Sequence, residues 1–189
     1  FIHGGYWSSR SKSIGRFLAP FYTAAGVNFI SIGYRLCPAV QIGSIVKDIR
    51  NCLDWIFENA GQFDGDKNKI FVAGHSAGGH LAGLMCSPSG PSYLKGGCSL
   101  SGIHDLEPIR LSYLNAQVRL TPNEVDKYSP VRVVESIVPE EVKLPPIIIA
   151  VGAKEGQEYL YQTNRLTDVL NEAKQPVLKS IIEDGNHFS

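Results

Sequence analysis

Five residues carry the strongest chemical signal in this chain: Gly74-His75-Ser76-Ala77-Gly78. A serine hydroxyl is a weak nucleophile until a base takes its proton and a tight turn pushes its oxygen outward. The flanking Gly74 and Gly78 make such a turn sterically possible. The apolar run Ile70-Phe71-Val72-Ala73 precedes it, and Leu81, Ala82, Leu84 and Met85 follow at helical spacing. Strand, sharp turn and helix are therefore expected, with Ser76 beside the positive end of the helix. The chemistry is attack on a carbonyl. That attack creates an oxyanion, which needs preorganised N–H donors. His3-Gly4-Gly5-Tyr6-Trp7 is suited to supply them, so the N–H of Gly4 or Gly5 with that of Ala77 is the candidate oxyanion hole. The His3 ring is expected to be structural. Tyr6 and Trp7 are candidate substrate-binding residues flanking the opening, with core packing the competing role.

A base must accept the Ser76 proton. Among His3, His75, His80, His104 and His187, only His187 follows the last expected strand, in Asp184-Gly185-Asn186-His187-Phe188. His187 is the candidate general acid and base, whereas His75, His80 and His104 read as packed or hydrogen-bonded. A carboxylate must then orient that imidazole. The segment Gly152-Ala153-Lys154-Glu155-Gly156-Gln157-Glu158 offers two glutamates. Glu155 lies in the loop itself and is preferred. Glu158 opens the next helix, where the helix dipole already accounts for a negative charge; it remains the alternative.

These residues need elements to hold them, and the punctuation supplies an alternating series. Phe1-Ile2 read as the end of a strand, and Ile14, Phe17, Leu18, Phe21, Tyr22 and Ala25 as one helical face stopped by Gly26. Strands are expected over residues 28–34, 69–73, 97–101, 146–151 and 177–183. Helices are expected from Ile45 to about Ala60, from Ala77 to Cys86 and from Glu158 to Ala173. Strands alternating with helices imply parallel pairing and a sheet covered on both faces, so the class is α/β. One domain over 1–189 is expected. Residues 104–144, with Pro108, Pro122, Pro130 and Pro139, break the rhythm and read as a lid-like excursion over the strand ends.

Composition removes several alternatives. Eighteen Lys and Arg balance eighteen Asp and Glu in 189 residues, which argues against nucleic acid as a partner. Apolar runs are far shorter than a bilayer span, so no membrane partner is expected. Cys37, Cys52, Cys86 and Cys98 lack metal or redox spacing and read as free thiols, which makes the cytoplasm the expected location. Because the chain starts at Phe1, any signal peptide would lie upstream.

With these residues placed, the chain resembles the α/β-hydrolase superfamily, and within it the kynurenine formamidase (arylformamidase) group and related carboxylesterases. The resemblance rests on HGGYW at 3–7, YRLCP at 34–38, GHSAGGHLA at 74–82, SGIHDLEPI at 101–109, Ser129-Pro130 and VGAKEGQEYLYQT at 151–163. It implies a mostly parallel sheet with helices on both faces and further strands and a helix beyond the two ends seen here. It also implies a serine hydrolase acting on a small-molecule arylformamide, with N-formylkynurenine as substrate, or a general carboxylesterase; a silent binding module is the reading from another class. The position matched by Glu155 carries the family's acid. No metal and no organic cofactor are implied, and a homodimer is left open.

Overall fold

Four parallel strands, β1 (Phe71–His75), β2 (Gly96–Leu100), β3 (Ile147–Gly152) and β4 (Val177–Ile182), pair in chain order in a computed structural model that describes residues 1–137 and 141–188. The register runs Phe71 to Gly96, Gly97 to Ile147 and Ile147 to Val177. Ile2 bridges Gly74 on one side and Ile32 on the other, both parallel, which extends the sheet beyond β1. The carboxyl ends of all these segments therefore lie along one edge, where open α/β sheets place their ligands.

Crossover helices cover the sheet. Helix α2 (Ile42–Asn59) buries Ile42, Ile45, Ile49, Leu53 and Ile56, an i, i+3, i+4 stripe; removing each such side chain from water contributes about 1.5–3 kcal/mol before entropic costs. Helix α3 (Ala77–Met85) is buried along its whole length, as its small residues anticipate, and α8 (Gln157–Glu172) packs on β3 and β4.

The N-terminal helix departs from expectation. Residues 12–18 form a 3-10 turn and only Ala19–Ala24 (α1) is α-helical. Pro20 explains the break: it has no N–H to bond the preceding turn, so one continuous helix cannot run through it. The apolar face read from periodicity is correspondingly unburied, with Phe17 75% and Phe21 74% exposed. The strand expected over 28–34 reduces to the Ile32 bridge.

The described residues of 104–144 carry four short helices, α4 (Glu107–Arg110), α5 (Asn115–Val118), α6 (Pro122–Tyr128) and α7 (Pro130–Glu135). Pro108, Pro122 and Pro130 each sit in a first helical turn, where the missing N–H costs nothing. Pro139 lies outside the described residues. Val118, Leu120, Val125, Val131 and Val134 bury this segment into the common core. All four cysteines are free thiols, and no helix among the described residues is long and apolar enough to cross a membrane.

Two buried histidines tie the layers together. His80 accepts the Trp7 indole N–H on Nδ1 at 3.2 Å and donates from Nε2 to the Tyr128 carbonyl at 2.7 Å. His104 lies with Nε2 3.3 Å from Ser99 Oγ. Burial pushes His80 down to about 4 and His104 down to about 3. An unfolded histidine takes up its proton near pH 6.5, whereas these two stay neutral until far lower pH. Stability is therefore full above 6.5 and falls with pH below it, by about 1.4 kcal/mol per pH unit for each ring. Urea melts should show a midpoint that falls steeply between pH 6 and pH 4; a flat profile across that window would contradict the neutral assignment.

Candidate active site

The site is assembled from the loops at the carboxyl ends of the strands. Ser76 follows β1 with φ 58° and ψ −119°, a sparsely populated positive-φ conformation that costs a non-glycine residue about 1–3 kcal/mol and survives only where packing enforces it. The enforcement is visible. Ser76 N–H donates to the Leu100 carbonyl at 2.8 Å, and the chain turns straight into α3. The residue is 4% exposed.

Gly4 lies directly against this turn: a Cβ built on it would come within 2.9 Å of the His75 carbonyl oxygen and 3.0 Å of Ser76 Cβ. Among the described residues the N–H groups of Gly4, Gly5 and Ala77 donate to no protein acceptor, so all three are available beside Ser76. The loop is held from below. Tyr34 donates its hydroxyl to the His3 carbonyl at 2.9 Å and stacks on the His3 ring at 4.2 Å, and His3 Nδ1 donates to the Gly4 carbonyl at 2.8 Å. Burial holds His3 below the usual histidine range, with the nearby Arg10 charge adding to the effect. This ring is a strut of the loop, as read from the sequence.

Glu155 and His187 meet. His187 Nδ1 stands 2.7 Å from Glu155 Oε2, which separates Glu155 from Glu158: the latter accepts from Gln162 Nε2 at 2.9 Å instead. Burial alone would raise the Glu155 carboxyl. Hydrogen bonds from Ser101 Oγ at 2.5 Å, from His187 and from the Gly152 N–H at 2.6 Å outweigh it and hold the group below the usual carboxylate range. Glu155 is thus an anion whose partners fix its orientation.

His75 completes the linkage. Its Nε2 donates to the His187 carbonyl oxygen at 2.7 Å, and the two rings lie 4.6 Å apart, so the residue before the serine holds the loop that carries His187. Burial first, then the neighbouring His187, keep His75 below its usual range, consistent with a neutral donor. No hydrogen bond joins Ser76 Oγ to His187 Nε2 among the described residues; such contacts are often long without substrate and tighten when it binds.

Two sequence-derived assignments separate here. Tyr6 is half-buried at the site, its hydroxyl 3.1 Å from that of Tyr159. Trp7 does not flank the opening. It is 0% exposed, and its indole packs edge-on against His80, to whose Nδ1 it donates. Core packing is its role.

Three residues at the site went unread in the sequence. Ser101 ends an expected strand and opens the SGIHDLEPI stretch, and Tyr159 and Gln162 lie in the expected helix and in VGAKEGQEYLYQT, but the sequence assigns none of the three a role. Gln162 Oε1 accepts the N–H groups of His104 and Asp105, both at 2.7 Å, stapling α8 to the loop after β2. Tyr159 lies in the first turn of α8, the helix that follows the Glu155 loop.

Comparison with known proteins bears on the family and the fold. The BD-FAE family model matches residues 1–101, more than half of the chain. Kynurenine formamidases from Danio rerio and Salmo salar are 27% and 28% identical over the whole of this chain, which spans 64% and 65% of their respective lengths. Among solved structures, an esterase from Pyrobaculum calidifontis superposes with a TM-score of 0.82 at 19% identity, covering 99% of this chain and 67% of that one. Esterase 2 of Thermogutta terrifontis gives 0.79 at 20% identity, covering 100% and 71%. At such identities the solved structures establish the α/β-hydrolase fold. The family match then places the chain: it belongs to the BD-FAE family, on an α/β-hydrolase fold.

Proposed function

We propose that this protein is a serine hydrolase of arylformamides, converting N-formylkynurenine to kynurenine and formate. The observation that carries the reading is the 2.7 Å pairing of Glu155 with His187 in the loops beside a strained Ser76 whose neighbouring backbone N–H groups lack acceptors. The whole-length similarity to two kynurenine formamidases supports the choice of substrate.

In this scheme Ser76 Oγ attacks the formyl carbon while His187 Nε2 takes its proton. The N–H groups of Gly4 or Gly5 and Ala77 hold the oxyanion. Glu155 keeps the His187 proton on Nδ1, so Nε2 is free to act, and stabilises the imidazolium. Collapse breaks the C–N bond, and the arylamine leaves with the proton from His187. Water then attacks the formyl ester, passes a proton to His187, and formate departs as Ser76 regains its hydrogen. An aryl nitrogen spreads its lone pair over the ring and so leaves more readily than an alkylamine. The scheme calls for no metal or organic cofactor.

A carboxylesterase using the same residues is the second reading, favoured by the 38% identity of residues shared with Esterase LipC of Mycobacterium tuberculosis over 44% of this chain. Values of kcat/KM for N-formylkynurenine and phenyl acetate separate the two. Preference for the formamide is expected. Turnover of the ester alone would leave an esterase, and turnover of neither by folded protein would overturn both readings.

A further inference from the structure

Tyr159 has no part in the scheme above, yet it stands at its centre. It occupies the first turn of α8, its ring lies 4.6 Å from the imidazole of His187 at a 40° tilt, and its hydroxyl is 3.1 Å from that of Tyr6. Ser76 is a polar neighbour of the same phenol. Burial, and then the Tyr6 hydroxyl, raise Tyr159 well above the usual phenol range, with Ser76 opposing them only in part. The phenol is thus neutral, with one proton and two oxygen lone pairs. The Tyr6 contact uses the proton or one lone pair, which leaves at least one lone pair for another donor.

A secondary amide needs such an acceptor and an ester does not. When Ser76 Oγ adds to an amide carbon, the nitrogen lone pair forms on the side opposite the new C–O bond, away from the proton on His187. The nitrogen must invert before it can be protonated, and its N–H swings aside as it does so. An acceptor for that N–H stabilises the inverted geometry alone, so it raises kcat rather than tightening substrate binding. An ester oxygen carries two lone pairs and needs no inversion.

We propose that Tyr159 Oη accepts the scissile N–H of the substrate in the transition state and so equips this site for formamides as well as esters. The proposal rests on the hydrolase reading given above. The lone pair is available at the right moment: once the Ser76 proton has passed to His187, the serine has no proton to offer Tyr159. No bond to Tyr159 forms or breaks.

The test is Tyr159→Phe assayed on three substrates with one acyl group: formanilide, N-methylformanilide, which has no N–H, and phenyl formate corrected for its spontaneous hydrolysis. For formanilide kcat should fall about tenfold, the worth of one hydrogen bond, with KM within about twofold. Phenyl formate and N-methylformanilide should lose less than about threefold. An equal loss on all three would make Tyr159 a merely structural contact, and no loss on formanilide would remove the acceptor role. Wild-type turnover of ester without formamide would also overturn the proposal while sparing the hydrolase. Absence of all wild-type turnover would strike the hydrolase reading itself.

Discussion

Ser76→Ala should lower turnover of both formamide and ester substrates by about 10⁴-fold or more, the usual consequence of removing a serine nucleophile whose base and oxyanion donors remain. The fold should survive, because the bonds that shape the turn come from the backbone: Ser76 N–H to Leu100 and His80 N–H to the Ser76 carbonyl. His187→Ala should cost a similar factor, and combining the two should cost little more, since residues acting as a unit are not additive. Glu155→Gln is expected to be nearly as severe. Its carboxylate takes Ser101 Oγ and the Gly152 N–H on one oxygen and His187 on the other, and an amide has only one oxygen to offer all three donors. Steady-state rates with thermal melts of each variant check this. A Ser76→Ala protein retaining a tenth of wild-type activity would remove Ser76 from the mechanism.

Gly78→Ala should be severely damaging for a single added methyl group. A Cβ there would lie 2.0 Å from the Ile2 carbonyl oxygen, 2.6 Å from its carbon and 2.7 Å from the His3 oxygen. All three are backbone atoms of the segment that leads into the Gly4-Gly5 loop, so no side chain can swing aside. The gain in helix propensity from glycine to alanine, about 1 kcal/mol, cannot offset moving a sheet segment. A loss above about 4 kcal/mol, or failure to fold, is expected. Gly61→Ala is the control, since nothing lies within 4 Å of its would-be Cβ; it should change stability by no more than about 1 kcal/mol. Matching melting temperatures for the two variants would contradict the packing described for the elbow.

Most of the strand and helix order was legible because β3 is a short apolar run that begins just after Pro145-Pro146 and ends in Gly152, and α2 repeats its apolar residues at helical spacing. The elbow was legible for the same local reason. Reading failed where tertiary context decides. Phe17 and Phe21 look like a buried face but lie on a segment that Pro20 splits and that packs poorly. Trp7 reads as either opening or core, and its contact with the distant His80 settles it inward. The choice between Glu155 and Glu158 depends on two loops 32 residues apart in sequence meeting at His187, which spacing alone cannot decide. Tyr159 and Ser101 act through contacts with residues far along the chain, so no local pattern announces them.

The central claim is that Ser76 is a nucleophile activated by His187. Labelling with a 4-nitrophenyl phosphonate ester, followed by peptide mass spectrometry, tests it without assuming any substrate. One adduct per chain is expected, on Ser76, forming at least a hundredfold more slowly in His187→Ala. An unlabelled Ser76 in folded protein, or labelling at the same rate without His187, would contradict the account.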